Sequence, residues 1–364
     1  MTTISFARGW PTPECLPVDE LADCARAVLE RDGRTILSYG SGLGYAPLRE
    51  WIGARHGVGP ERVLLTNGSL QGFVFVADAL AARGPVLVEA PTYDRPLKLL
   101  ASRGVDVVAI PTDDDGLEVD ALQPELEHGP PPAFLYTIPT FQNPTGRTLS
   151  SERRRRLVEL ARASDLLVLE DDPYGLVRFE GDAPPTLHEL DGGGHVVYSS
   201  SFSKTIAPGV RVGYLVLPPA LADALAATAT STYITPALIG QATVYEFLRR
   251  GAFEPNLERV VSLLRARRDA MLATLERELP DGARWSRPHG GYFLWLELPN
   301  GVSADELFDR AEAEGVALVK GSDFFLPAGG GESSVRLAYS FVSPAEIEDG
   351  IGRLAALVPA ATPA

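Results

Sequence analysis

Short runs rich in β-branched and aromatic residues recur through the first two-thirds of the chain, at 63–66, 85–89, 105–110, 133–138, 166–170, 195–199 and 212–217. Segments with helical spacing of apolar positions lie between most of them, at 71–82, 95–103 and 151–163. Near-continuous apolar strands alternating with helices predict an α/β fold with a mostly parallel, seven-stranded sheet covered on both faces. In such sheets ligands bind beyond the carboxyl ends of the strands. Polar clusters follow five of the predicted strands: Thr66-Asn67-Gly68-Ser69, Ala90-Pro91-Thr92-Tyr93, Asn143-Pro144-Thr145-Gly146, Asp171-Asp172-Pro173-Tyr174, and the serines that lead to Lys204. Their shared position after strands points to one common site.

The ends of the chain follow other patterns. Pro11, Pro13 and Pro17 keep an N-terminal arm extended, and a helix runs from Val18, with Leu21, Ala25, Val28 and Leu29 on one face, to a stop at Gly33. Beyond about Ala220, helical segments reach 250 and continue over 255–279. A strand at 292–298, a helix at 304–314, a strand at 316–319, a run at 335–341 and a last helix at 344–357 follow. This predicts a smaller α+β domain joined to the sheet domain by long helices, dividing the chain into an arm with its helix (1–35), a large domain (36–250) and a small one (251–364).

Composition narrows the partners. The 364 residues carry a net charge of −15, which opposes binding to nucleic acid or to an anionic membrane surface. Cys15 and Cys24 match no zinc or redox spacing and give no disulfide framework, as in a reducing compartment. The first ten residues lack the basic and apolar regions of a signal peptide, and no apolar run is long enough for a membrane helix. A cytoplasmic location is therefore expected.

Several clusters can carry chemistry. Within 196–216 an apolar strand breaks into Ser199, Ser200, Ser201 and Ser203, then Lys204, a Pro208-Gly209 turn and Arg211. An amine among hydroxyls and an arginine suits a phosphorylated carbonyl compound, because the amine condenses with the carbonyl and the other groups hold phosphate. Gly68-Ser69 makes either an ordinary helix cap or a phosphate cradle of backbone N–H groups. Tyr93 either packs or lies flat on a heteroaromatic ring. Asp171 and Asp172 directly follow an apolar strand, where a carboxylate is costly unless it meets a cation such as a protonated pyridine nitrogen. Arg336, within Ser-Val-Arg-Leu-Ala-Tyr, is either a strand-edge cation in solvent or a bidentate clamp for the carboxylate of an amino or keto acid.

Other features are expected to be structural. The GSGLG at 40–44 has no strand leading into it, Asp113–Asp115 before Gly116 reads as a turn, and Arg153–Arg156 as a solvated helix face. The five histidines show no metal-ligand spacing, so no metal site is expected.

Three segments, YTIPTFQNPTG (136–146), EDDPYG (170–175) and SFSKTIAPGVRVGY (201–214), stand in order with Arg336 behind them. Together they resemble the motifs of fold-type I pyridoxal-phosphate enzymes, the class I and II aminotransferases. The likeness is greatest to the 2-aminoadipate/kynurenine aminotransferase branch, which also forms the C-terminal domain of MocR-type regulators, and it runs from about Ile4 to the last helix. It implies an aspartate-aminotransferase-like fold, pyridoxal 5′-phosphate as cofactor, amino acid and 2-keto acid substrates, and a homodimer with shared active sites. It also implies residue roles. Lys204 is the Schiff-base lysine and proton carrier, Asp171 pairs with the pyridine nitrogen, Asn143 and Tyr174 bond the ring hydroxyl, and Tyr93 stacks on the ring. Ser69, Leu70, Ser201, Ser203 and Arg211 surround the phosphate, Tyr39 reaches the phosphate of the partner subunit, and Arg336 holds the substrate α-carboxylate near Gly9 and Asn143. The chain departs from the branch at Leu70, where glutamine is frequent, and near Asn256, where a histidine is. No helix-turn-helix segment precedes the enzyme motifs, so an enzyme is expected rather than a regulator. A ping-pong aminotransferase is the first expectation; elimination, cyclisation or oxidation on the same cofactor, and a cofactor sensor without turnover, are its alternatives.

Overall fold

The computed structural model describes residues 3–327 and 329–359. All seven expected strands form one sheet in the order Val63–Thr66, Gly213–Val216, Val196–Ser201, Val168–Asp171, Phe134–Thr137, Val86–Ala90, Val107–Asp113, with a two-residue strand, Gly116–Leu117, added at the far edge. Gly213–Val216 runs antiparallel to both of its neighbours, and the five strands from Val196–Ser201 to Val107–Asp113 pair in parallel. Gly116–Leu117 returns antiparallel through the turn expected at the three aspartates, where Asp113 Oδ1 accepts the Asp115 N–H at 2.9 Å.

Alternate residues of each strand serve opposite faces, as the pleat requires. Val86, Val88, Phe134, Tyr136 and Leu169 pack into one core, whereas Leu87, Leu135 and Val168 pack into another with Leu157, Val158 and Ala161 of the helix Ser151–Ser164. Burial on both faces makes these strands read as unbroken apolar runs.

That same helix corrects one expectation. The arginines at 153–156 are not all solvated. Arg154 is fully buried on the Leu157 side and donates to the carbonyls of Leu149 and Pro139 and to Thr140 Oγ1, at 2.6–2.9 Å. Arg153 pairs with Asp113 at 2.6 Å.

Four antiparallel strands form a second sheet, ordered Arg284–Trp285, Phe293–Glu297, Ser334–Ala338, Val319–Lys320. The helices Phe253–Glu278 and Pro344–Ala355 pack against one another nearby. The N-terminal arm joins this part of the molecule: Ile4–Ser5 pairs in parallel with Val316–Ala317, and the Ala338 N–H donates to Phe6 O at 2.7 Å. The helix after the arm does not stop at Gly33 but runs Val18–Ile36, because Ile36 is buried with Cys24 and Val28 against the helix Leu238–Arg249. Tertiary packing outweighs the roughly 1 kcal/mol cost of a mid-helix glycine. Among the described residues, no helix is long and apolar enough to cross a membrane.

Candidate active site

A cavity of about 420 Å³ opens beyond the carboxyl ends of the central strands, and the arm and the second sheet close its other side. One end is built around Gly68. Its φ of 96° lies where glycine is favoured, and a Cβ there would stand 2.5 Å from Arg211 Nη2. Gly213 on the neighbouring strand passes so close that its own Cβ would meet Gly68 C at 2.5 Å and Ser69 N at 2.6 Å. Ser69 opens the helix Ser69–Leu80, whose N-terminal residues Ser69 and Leu70 line the cavity, and the free N–H groups and dipole of a helix N-terminus favour an anion. Arg211 donates to the carbonyls of Asn67 (2.5 Å) and Pro208 (3.2 Å), and Ser201 Oγ accepts the Ser203 N–H at 2.9 Å. Helix terminus, hydroxyls and guanidinium together form an anion cradle.

Lys204 lies deeper. Its Nζ donates to Gly9 O at 2.7 Å and stands 5.2 Å and 6.0 Å from the ring centroids of Tyr292 and Tyr174. The side chain keeps some accessible surface because it faces the cavity, yet dense surroundings push its pKa down to about 8. Arg336 and Arg211 lower it further by charge repulsion. Tyr292 Oη, in turn, donates to the Lys204 carbonyl at 2.9 Å.

Asp171 ends its strand with a buried carboxylate that accepts from Tyr136 Oη (2.9 Å) and Ser199 Oγ (3.2 Å). Burial raises its pKa to about 7 against the lowering effect of those two hydrogen bonds, and no cation pairs with it among the described residues. Asp172 points elsewhere. It accepts from Tyr198 Oη at 3.0 Å and from the Gly175 N–H at 2.9 Å, which holds the turn that carries Tyr174. Burial raises the Tyr174 hydroxyl pKa as well.

Arg336 sits across from Lys204 on the second sheet. Its strand is central there, flanked by Phe293–Glu297 and Val319–Lys320, so the side chain is buried at 8 % exposure instead of lying at a solvent edge. Nη1 donates to Asn143 Oδ1 at 3.0 Å and Nη2 to Ala7 O at 2.8 Å, while Nε has no hydrogen-bond partner among the described residues. The guanidinium lies 4.3 Å from the Phe293 ring centroid and 5.0 Å from that of Phe324. It has no carboxylate partner among the described residues, and burial lowers its pKa to about 10.

Ser69, Leu70, Tyr93, Asn143, Asp171, Tyr174, Ser201, Ser203, Lys204, Arg211, Arg336 and Gly9 all line this one cavity. Tyr39 does not. It is 82 % exposed and lies outside the cavity of its own chain. Tyr233 does not line the cavity either and donates to the carbonyls of Gly42 (3.0 Å) and Leu65 (3.3 Å). Sequence reasoning missed Trp10, Arg95, Phe293 and Tyr136. Only Tyr136 carried a local signal, since it lies two positions before the end of an apolar strand next to that of Asp171.

The cavity thus holds three unmatched groups: a carboxylate without a cation, a helix N-terminus with a guanidinium but no anion, and a buried guanidinium without a carboxylate. A pyridinium, a phosphate and an amino acid carboxylate would satisfy them in turn, so the residues present fit pyridoxal 5′-phosphate with its substrate. The family model for aminotransferase class I and II matches residues 15–354. The chain is 39 % identical to the 2-aminoadipate transaminase of Thermus thermophilus, over 96 % of this chain and 89 % of that one. The HTH-type transcriptional regulator YisV of Bacillus subtilis is 30 % identical over 96 % of this chain but 72 % of its own. The solved structure of LysN, an α-aminoadipate aminotransferase also from Thermus thermophilus, complexed with N-(5′-phosphopyridoxyl)-L-leucine, superposes with a TM-score of 0.92 at 38 % identity, covering 98 % of this chain and 92 % of the other. The chain therefore belongs to the class I and II aminotransferases and is a pyridoxal-phosphate-dependent transaminase of aspartate-aminotransferase-like fold.

Proposed function

We propose that the protein moves an amino group between an L-amino acid and a 2-keto acid in two half-reactions, with Lys204 as the group that carries the proton. The observation behind this reading is the meeting on one cavity of Lys204, Asp171 and Arg336, none of which has an ion-pair partner among the described residues. When bound, the cofactor supplies a carbonyl for the amine and an electron-poor ring that spreads the charge of a carbanion. Asp171 keeps the ring nitrogen protonated, and Tyr93 and Tyr174 hold the ring. The cradle of Ser69, Leu70, Ser201, Ser203 and Arg211 holds the phosphate. Arg336, steadied by Asn143 and the Ala7 carbonyl, grips the substrate carboxylate and so orients the Cα–H bond. The amine of Lys204, depressed towards neutrality, takes the α-proton and returns it.

The same reading divides the chain into 1–35, 36–250 and 251–364, and makes it a cytoplasmic homodimer. Leu37, Tyr39 and Ile234 support the dimer. All are strongly exposed, and their segments are tied together by Gly40 and Thr235, whose backbone and hydroxyl exchange hydrogen bonds of 3.0 and 2.8 Å. In the dimer Tyr39 serves the neighbouring site. The net charge of −15 supports a role without nucleic acid.

The test is a single-turnover panel of amino acids mixed with the loaded enzyme, followed by the cofactor absorbance band and by keto-acid product. Wild-type protein is expected to yield one keto acid per site without an acceptor, and Lys204→Ala none. A Lys204→Ala protein that keeps most of the rate removes the lysine from the mechanism. Sedimentation at micromolar concentration tests the dimer.

A further inference from the structure

Trp10, Asp94 and Arg95 are among the cavity-lining side chains that have no part in holding cofactor or α-carboxylate in this scheme. Trp10 is the unusual one, because a tryptophan with 47 % of its surface exposed is seldom left at a cavity mouth unless something covers it. It is also held in place. The Trp10 carbonyl accepts from Ser340 Oγ at 3.1 Å, the same hydroxyl lies 3.3 Å from Arg8 O, and buried Pro11 restricts the backbone that precedes it. The indole meets Phe341 edge-on at 5.9 Å between centroids, and the Arg8 guanidinium lies 5.8 Å from the indole and 5.1 Å from the Phe341 ring. Ring, backbone and cation are thus fixed before any ligand arrives, and preorganisation of this kind lowers the entropy lost on binding.

The cations nearby are already engaged. Asp94 lies close to Arg95 (3.7 Å) and bonds Lys98 at 2.6 Å, so Arg95 already faces a carboxylate, and the Arg8 guanidinium is turned to the Trp10 and Phe341 rings. We infer that Trp10 is a specificity-determining residue that receives the substrate side chain, and that the enzyme's preferred donors are L-amino acids with aromatic or long apolar side chains rather than acidic ones. This inference rests on the transaminase reading of the same cavity.

The test compares phenylalanine, glutamate and alanine as donors in the first half-reaction, in wild type, Trp10→Ala and Trp10→Phe. Wild type should prefer phenylalanine to glutamate. In Trp10→Ala the ratio of kcat/KM for phenylalanine to that for alanine should fall roughly ten- to hundredfold, and Trp10→Phe should restore most of it. Binding of the unreactive acids 3-phenylpropionate and propionate to the loaded enzyme, measured by calorimetry, should show the same loss for the aromatic acid alone. An equal loss for all three donors makes Trp10 merely structural, and an unchanged ratio leaves it outside the side-chain pocket. Glutamate preferred by wild type and lost in Arg95→Ala moves specificity to Arg95. Each of these results overturns the inference while leaving transamination intact. A wild-type enzyme that converts no amino acid overturns both.

Discussion

Lys204 Nζ donates to the carbonyl oxygen of Gly9 at 2.7 Å, across 195 residues of sequence. The arm can come this close only because residue 9 has no side chain. A Cβ there would overlap Cε1 and Cζ of Phe293. The Phe293 ring has little room to yield, since it lies under Arg336 and meets Tyr174 nearly edge-on at 5.8 Å. Gly9→Ala is therefore expected to displace arm or ring, cutting kcat/KM by about ten- to hundredfold and stability by about 1–3 kcal/mol. Steady-state kinetics and urea titration measure the two effects separately. Wild-type kinetics in the variant would mean that the arm is free to move and plays no part in aligning the site.

The depressed basicity of Lys204 has its own signature. The neutral amine is the form that attacks a carbonyl, and at a pKa of about 8 half of it is available two units or more below the pH an ordinary lysine requires. The rate at which the cofactor-free protein takes up pyridoxal phosphate is expected to rise with pH and level off a little above 8. Arg336 contributes to the depression, so Arg336→Gln should move the midpoint upward. Stopped-flow absorbance across pH 6–11 reads both; a plateau reached only above pH 10 contradicts the burial argument.

The legible parts of the sequence and the illegible ones differ for a physical reason. The sheet was readable because strands buried on both faces become apolar runs, and the five polar clusters stood out because they interrupt those runs. Lys204, Asp171 and Arg336 were conspicuous as charges in apolar surroundings, where water cannot offset their cost. Trp10 and Arg154 could not be found this way. Trp10 reaches the cavity because Ser340 and Phe341, more than three hundred residues later, hold the arm over it. Arg154 differs from its solvated neighbours only in facing the carbonyls of Leu149 and Pro139. The continuation of the first helix past Gly33 depends on the Leu238–Arg249 helix, far along the chain. In each case the deciding contact is long-range and leaves no mark on the local pattern.

Arg336 makes two hydrogen bonds, to Asn143 and Ala7, and among the described residues its Nε has no acceptor and its charge no carboxylate. Lysine cannot reproduce the planar two-pronged geometry that a carboxylate needs. Arg336→Lys is expected to lower kcat/KM for amino acids by roughly a hundredfold, mainly by raising KM, as the loss of one to two charge-assisted hydrogen bonds predicts. A simple amine without a carboxylate, already a poor donor, should lose nothing further. An equal loss for amine and amino acid would place the defect in the fold of the site instead of in carboxylate recognition.

Asp171 gives the cofactor-free protein an unusual pH dependence. Its folded pKa of about 7 lies above the ordinary carboxyl value near 3.8, so between these limits the folded chain keeps a proton that the unfolded chain has released. Stability supplied by this group is therefore complete below about pH 4 and is lost as pH rises towards 7, by on the order of a few kcal/mol. Glu170, raised to about 8 mainly by burial, adds a slope of the same sign. The informative quantity is thus the difference between wild type and Asp171→Asn, where the Glu170 contribution cancels. Wild type should lose stability relative to the variant from pH 4 to 7 in the cofactor-free state. On the proposed pairing of Asp171 with the pyridine nitrogen, loading pyridoxal phosphate would favour the charged carboxylate, and the wild-type slope should flatten. Thermal melts of both proteins, with and without cofactor, decide the matter. A cofactor-free difference that stays constant with pH would show that the Asp171 carboxylate is ionised in the folded chain, held by Tyr136 and Ser199 alone.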